Sequence, residues 1–258
     1  MSLASQVSVL VTNIVKKIKT HVAQNDIVWV MPNANTTVLN VMGVAAPAAT
    51  GTPTLNAIAT TNFHTAAKRL DYLVTAAVTT AVAGFTGNVL QWWRGNAANL
   101  GGFYFNCRWG PATGVATTTN RAFVGLIGSV SAPTDVQPSS LLNIMGFGWD
   151  AADVNIQAMT NDGTGAATKT DLGVNFPVPL VDRTTVYDIT LFCLPNSTTV
   201  TWTIKNMGTG AIATGTFSVD LPANTQLLTY TGWMSVGGTS SVIGISLMGV
   251  YIETGRQA

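Results

Sequence analysis

The chain has 258 residues, enough for one large all-β domain or two small ones, yet only 9% of them are charged, against roughly a quarter in ordinary soluble proteins. A formal net charge of +1 gives no electrostatic footprint for nucleic acid or for a membrane surface. Two cysteines are too few for a disulfide framework, and a chain with Glu253 as its one glutamate, rich instead in Thr and Val, favours strands over helices.

Residues 1–24 place Leu3, Val7, Leu10 and Ile14 at spacings of four, three and four, the seam of a heptad repeat. Val11, Val15, Ile18 and Val22 form a second stripe beside it. The stripes predict a short helix, and a helix of that length is marginal alone in water. It therefore needs partners, as an oligomerisation bundle or a segment that docks on a larger particle; packing on its own domain is the plainer alternative. Lys16, Lys17 and Lys19 follow the apolar stretch, the reverse of a secretory signal, and no apolar run reaches the roughly 18 residues of a membrane span.

Residues 25–84 read as an extended linker ending in a shoulder. Pro32, Pro47 and Pro53 interrupt any regular helix in a stretch of Pro, Ala, Thr, Asn and Gly that suits wrapping around neighbouring chains. Phe63, Ala66, Ala67, Leu70 and Leu73 then recur on one face, predicting a short helix whose start Thr61 or Asn62 caps.

Residues 85–258 read as strands. In 103–109, Phe103, Phe105, Cys107 and Trp109 alternate with Tyr104, Asn106 and Arg108, the period-two signature of a half-buried strand. Residues 121–129, 143–149, 186–194, 200–206, 211–219 and 242–253 read likewise. Asn161-Asp-Gly-Thr-Gly and Pro195-Asn-Ser mark turns, and Met207-Gly-Thr-Gly a tight hairpin. About ten short strands with regular turns predict a mostly β protein, an antiparallel β-sandwich of jelly-roll, lectin-like type.

Catalytic groups are scarce. His21 and His64 have neither a nucleophile context nor metal-ligand spacing with Cys107 and Cys193, which read as free buried thiols suited to assembly in a reducing cytoplasm. Asp150, Asp153, Asp162 and Asp171 cluster in sequence. Turn chemistry explains the first three; a Ca²⁺ site or an acid–base pair is the sharper alternative, without EF-hand spacing. No catalytic, metal or cofactor residue is assigned. Trp92, Trp93, Trp109, Trp149, Trp202 and Trp233 remain. Aromatic faces stack on the apolar C–H surface of sugar rings, and Trp92 with Trp93, if in a strand, covers both of its faces. Trp92, Trp93, Arg94 and Trp149 are the glycan-binding candidates, Arg94 as partner for an acidic sugar.

Gly101-Gly-Phe-Tyr-Phe-Asn-Cys-Arg-Trp-Gly, Arg121-Ala-Phe-Val-Gly-Leu, Ser131-Ala-Pro-Thr-Asp-Val-Gln-Pro-Ser, Asp171-Leu-Gly-Val-Asn-Phe-Pro, Tyr187-Asp-Ile-Thr-Leu-Phe-Cys-Leu-Pro-Asn and Val250-Tyr-Ile-Glu-Thr, in this order, resemble the C-terminal domain of tailed-phage tail fibres. The likeness extends over most of 50–254. It implies a trimeric virion-surface protein, assembled in the host cytoplasm, whose lectin-like head recognises a host surface glycan. The short stretch before the shoulder fits a short tail fibre or a capsid head-fibre or cement protein; a glycan depolymerase is the third reading. Partners implied are the chain itself, other virion proteins and a host glycan, with neither nucleic acid nor membrane insertion.

Overall fold

The computed structural model describes residues 25–33 and 36–255. The helix expected over 1–24, with its seam residues Leu3, Val7, Leu10, Val11, Ile14, Val15 and Ile18, lies outside them. The described residues form an antiparallel sandwich of two sheets. The larger runs β14 (Ile212–Phe217), β13 (Val200–Asn206), β12 (Tyr187–Cys193), β7 (Phe103–Thr113), β16 (Ser241–Gly255), β1 (Asn25–Pro32), β2 (Leu39–Met42); β5 (Leu70–Val78) also pairs with β16, and β4 (Thr52–Thr54) with β5. The smaller runs β11 (Thr168–Asp171), β10 (Gln157–Asn161), β9 (Ile144–Trp149), β8 (Arg121–Ile127), β15 (Thr229–Ser235), β6 (Val82–Thr86), β3 (Ala48–Thr50).

Alternation builds the core as the sequence implies. Phe103, Phe105, Cys107 and Trp109 of β7, with Ile189 and Leu191 of β12, point inward against Val124, Phe147 and Trp149 of the facing sheet. The layers interlock through aromatic pairs: Trp109 stacks on Trp149 at 6.2 Å, and Phe147 meets Trp202 edge-on at 5.5 Å. In β16 the alternation changes phase. Ile243, Ile245 and Leu247 face inward, and after a bulge between Leu247 and Gly249 it is Val250 and Ile252 that do. The hairpin expected at Met207 joins β13 to β14, with Lys205 opposite Ile212.

Two expectations fail. The stretch 25–84, read as a linker, supplies five strands and most of a sixth to the two sheets, β1 lying beside β16 and β6 beside β15. Its prolines sit where a ladder tolerates them, Pro53 on the edge strand β4 and Pro32 at the end of β1. The shoulder helix is a single turn, α1 (Phe63–Ala66), which ends at Ala67 in extended backbone. Leu70 and Tyr72 belong to a strand buried against β16, so pairing and burial override the helical spacing. Asn62 does cap the turn: its Oδ1 accepts from the Thr65 N–H, and the Asn62 N–H donates to Thr65 Oγ1.

Candidate functional site

The outward faces of the two sheets differ. On the smaller sheet, outward Phe123, Ile144, Met159 and Trp233 are roofed by the chain's own Val136 and Leu141, from the β8–β9 connection, and form a second small core. The outward face of the larger sheet is roofed over only part of its area, by α1 and the loop before β12. Elsewhere, among the described residues, it lies open.

On the open part, cross-strand register aligns the side chains. One row runs Met42, Trp29, Tyr251, Asn106, Thr190, Thr203 from β2 to β13. The next runs Ile27, Glu253, Tyr104, Phe192, Thr201. Four aromatics thus step diagonally over four adjacent strands, Trp29, Tyr251, Tyr104 and Phe192. With strands about 4.8 Å apart, the strip is roughly 15 Å long. Trp29 is 48% exposed, Phe192 42% and Tyr104 36%. Tyr104 and Tyr251 meet edge-on at 6.1 Å.

Polar groups with fixed orientations lie among the rings. Asn106 Nδ2 donates to Asp188 Oδ1 and to the Ile189 carbonyl, and Arg108 Nε donates to Asp188 Oδ2 at 2.9 Å. The Tyr251 hydroxyl donates to Glu253 at 2.9 Å; partial burial and then that carboxylate push the phenol up to about 12, so it stays a protonated donor. Such a surface offers flat apolar ring faces at the spacing of strands, with amide, hydroxyl, carboxylate and guanidinium groups between them. Exposed aromatic patches of this kind mark binding surfaces.

The roofed part is built differently. Asp71, fully buried, takes Arg69 at 3.6 Å and Arg183 at 3.3 Å, and accepts from Ser246 Oγ. Arg69 in turn donates to the Thr65 carbonyl at 3.0 Å and so ties α1 down. Buried His64 packs so closely that a Cβ on Gly110 would lie 2.8 Å from its ring. Burial, then the nearby Arg69 and Arg183, hold His64 down at about 3, so it is neutral at ordinary pH.

The residues expected to bind glycan lie elsewhere. Trp92 is buried at 2% exposure, bridged to Leu228 outside any strand and packed on Tyr230. Trp149 is buried at 1%, its indole N–H donating to Asn120 Oδ1 at 2.8 Å. Neither ring can offer a face to a sugar. Trp93, in the loop between β6 and β7, is half-buried, and its carbonyl accepts from the Gly102 N–H. Arg94 spends its donors on the Pro222 and Ser197 carbonyls, pinning two loops. The strand argument for Trp92 and Trp93 fails because the pair is not in a strand. The aromatic face instead recruits Trp29, from the stretch read as a linker, and Tyr104, which the alternation of β7 already directs outward.

The aspartates are accounted for by local bonds. Lys169 Nζ sits against Asp150 at 3.0 Å and Asp153 at 2.6 Å, an ammonium where a Ca²⁺ would have to lie. Burial raises Asp150, but the Ser139 N–H and Lys169 outweigh it and hold the carboxyl below its usual range. Asp162 accepts from the Thr164 N–H and Asp171 from the Gly173 N–H, both turn bonds. Cys107 and Cys193 are free and buried, and burial pushes both thiols up, Cys193 to about 11.

The sequence matches no protein-family model and no curated protein. Solved structures show the fold. The chain is similar to a protein of unknown function from Shewanella oneidensis MR-1 at 12% identity, covering 100% of this chain and 97% of that one with a TM-score of 0.57. Arcelin-5, a lectin-like defence protein of Phaseolus vulgaris, is 9% identical over 91% of this chain and 100% of its own, at 0.53. Lectin UEA-II, solved with galactose, is 13% identical over 73% and 88%, at 0.51. At these identities the likeness establishes a lectin-like sandwich.

Proposed function

We propose that the chain is a structural, non-catalytic component of a tailed-phage virion: a short homotrimeric tail fibre whose sandwich binds a host surface glycan through the open face of its larger sheet. The observation that carries the binding reading is the strip of Trp29, Tyr251, Tyr104 and Phe192 with Asn106, Thr190, Asp188 and Glu253 beside it. Pyranose rings have apolar C–H faces and a hydroxyl rim, and this surface supplies both complements. The virion location rests on the resemblance over 50–254. The trimer rests on the seam of residues 1–24, which would also hold the fibre to other virion proteins.

Immunogold electron microscopy with antibody to the sandwich, together with binding of purified protein to host cells, tests this reading. Label at the tail tip with cell binding lost in Trp29→Ala is the expected result; no label on any particle overturns it. Unchanged polymer length after incubation with host polysaccharide is expected of a binder without hydrolase activity. One observation favours the capsid fibre or cement reading. Val154, Val174, Leu180 and Val181, exposed around the loop between β11 and β12, make an apolar surface suited to a protein contact. Label over the capsid, without cell binding, would select it.

A further inference from the structure

The aromatic face ends against α1. Along β1, Met31 lies two residues beyond Trp29; along β7, Arg108 lies two beyond Asn106, a step of about 6.6 Å. Between these residues and α1 runs a groove of about 300 Å³, walled by Met31, Met248 and Phe63 and carrying two cations, Lys68 and Arg108. No carboxylate lines it. Among the described residues Lys68 makes no hydrogen bond or ion pair, and Arg108 uses Nε and Nη2 on Asp188, leaving Nη1 unbonded. Lys68 stands where it does because α1 is fixed from both ends, by the Asn62–Thr65 capping box and by the bond from Arg69 to the Thr65 carbonyl.

We infer that this groove is an anion subsite of the same face and that it takes a carboxylate-bearing sugar unit of the bound polysaccharide. The inference rests on the glycan reading above. Lys68 and the free edge of Arg108 meet the carboxylate, while Phe63 and Met31 lie against the apolar side of the ring. Charge favours a carboxylate over a phosphate monoester. Two cations less the Asp188 carboxylate leave about one positive unit, which matches a carboxylate; a phosphate monoester carries about −1.5 to −2 and would be left partly uncompensated. The groove continues the aromatic strip, so an acidic unit here is one residue in a chain that crosses the sheet rather than an isolated ligand.

A microbial glycan array bearing neutral, carboxylated and phosphorylated polysaccharides, probed with the full-length protein, tests this. Retention of carboxylated glycans is expected, weakened by salt and weakened about tenfold or more by Lys68→Glu, with Lys68→Arg close to the parent. Lys68 is exposed, so melting temperature should be the same in all three proteins. Retention of neutral or phosphorylated glycans alone, or of carboxylated ones unaffected by Lys68→Glu, overturns the subsite and leaves the aromatic face standing. Retention of no glycan by the parent protein overturns both.

Discussion

Trp29 and Trp149 are chemically the same side chain in opposite situations, and substitution should separate their roles. Trp29→Ala removes a half-exposed ring from the aromatic face and should weaken glycan binding about tenfold, ~1.4 kcal/mol, with little change in unfolding midpoint. Trp149→Ala removes a ring stacked on Trp109 and should cost about 3–5 kcal/mol in chemical denaturation. His64 gives a pH signature. The unfolded imidazole takes up a proton near 6.5, whereas the folded one resists until about 3. Stability from this group is therefore full above 6.5, falls by up to ~1.4 kcal/mol per pH unit below it, and levels off near 3. Urea titrations between pH 7 and 5, where most carboxylates stay ionised, should show the decline, and His64→Gln should flatten it. Which aromatics were exposed was not legible in the sequence. Six tryptophans in 85–258 drew the search, but burial depends on what packs across the sandwich, and Trp29 sits in the short apolar run Ile27-Val-Trp-Val-Met, just ahead of the proline- and alanine-rich stretch that read as linker.

Among elements, α1 carries the most weight for its size. Its four residues place Phe63 and Lys68 at the groove and set His64 into the roofed part of the sheet. Asn62→Ala removes the side-chain half of the capping box and should cost about 1 kcal/mol by thermal unfolding, with weaker retention of acidic glycans as α1 loosens. The longer strands were legible because one face of each is buried, so β12, β13 and residues 103–109 of β7 alternate strictly. β2, β3 and β4 were not, being three or four residues long; β3 and β4 are moreover held by strands further along the chain, β6 and β5. At 62–73 two periods competed. Helical spacing of Phe63, Ala66, Leu70 and Leu73 was real, but Leu70 and Tyr72 also suit a strand, and β16 offered a partner for one.

At the scale of the whole molecule, truncations distinguish attachment from architecture. Every strand among the described residues begins at or after Asn25, so removing residues 1–24 should leave the melting temperature of the sandwich unchanged while abolishing incorporation into particles. Removing residues 1–84 takes away β1 to β5 and most of β6, and that protein should not fold, as circular dichroism and protease resistance would report. The pairing of β1 with β16 has a consequence for synthesis. β16 is flanked by β7 on one side and by β1 and β5 on the other, so the middle of the larger sheet is made after every other described strand. A nascent chain must hold its early strands open, with long-range pairings that are slow to form, until residues up to about Gly255 leave the ribosome. Stalled chains halted before β16 should remain protease-sensitive.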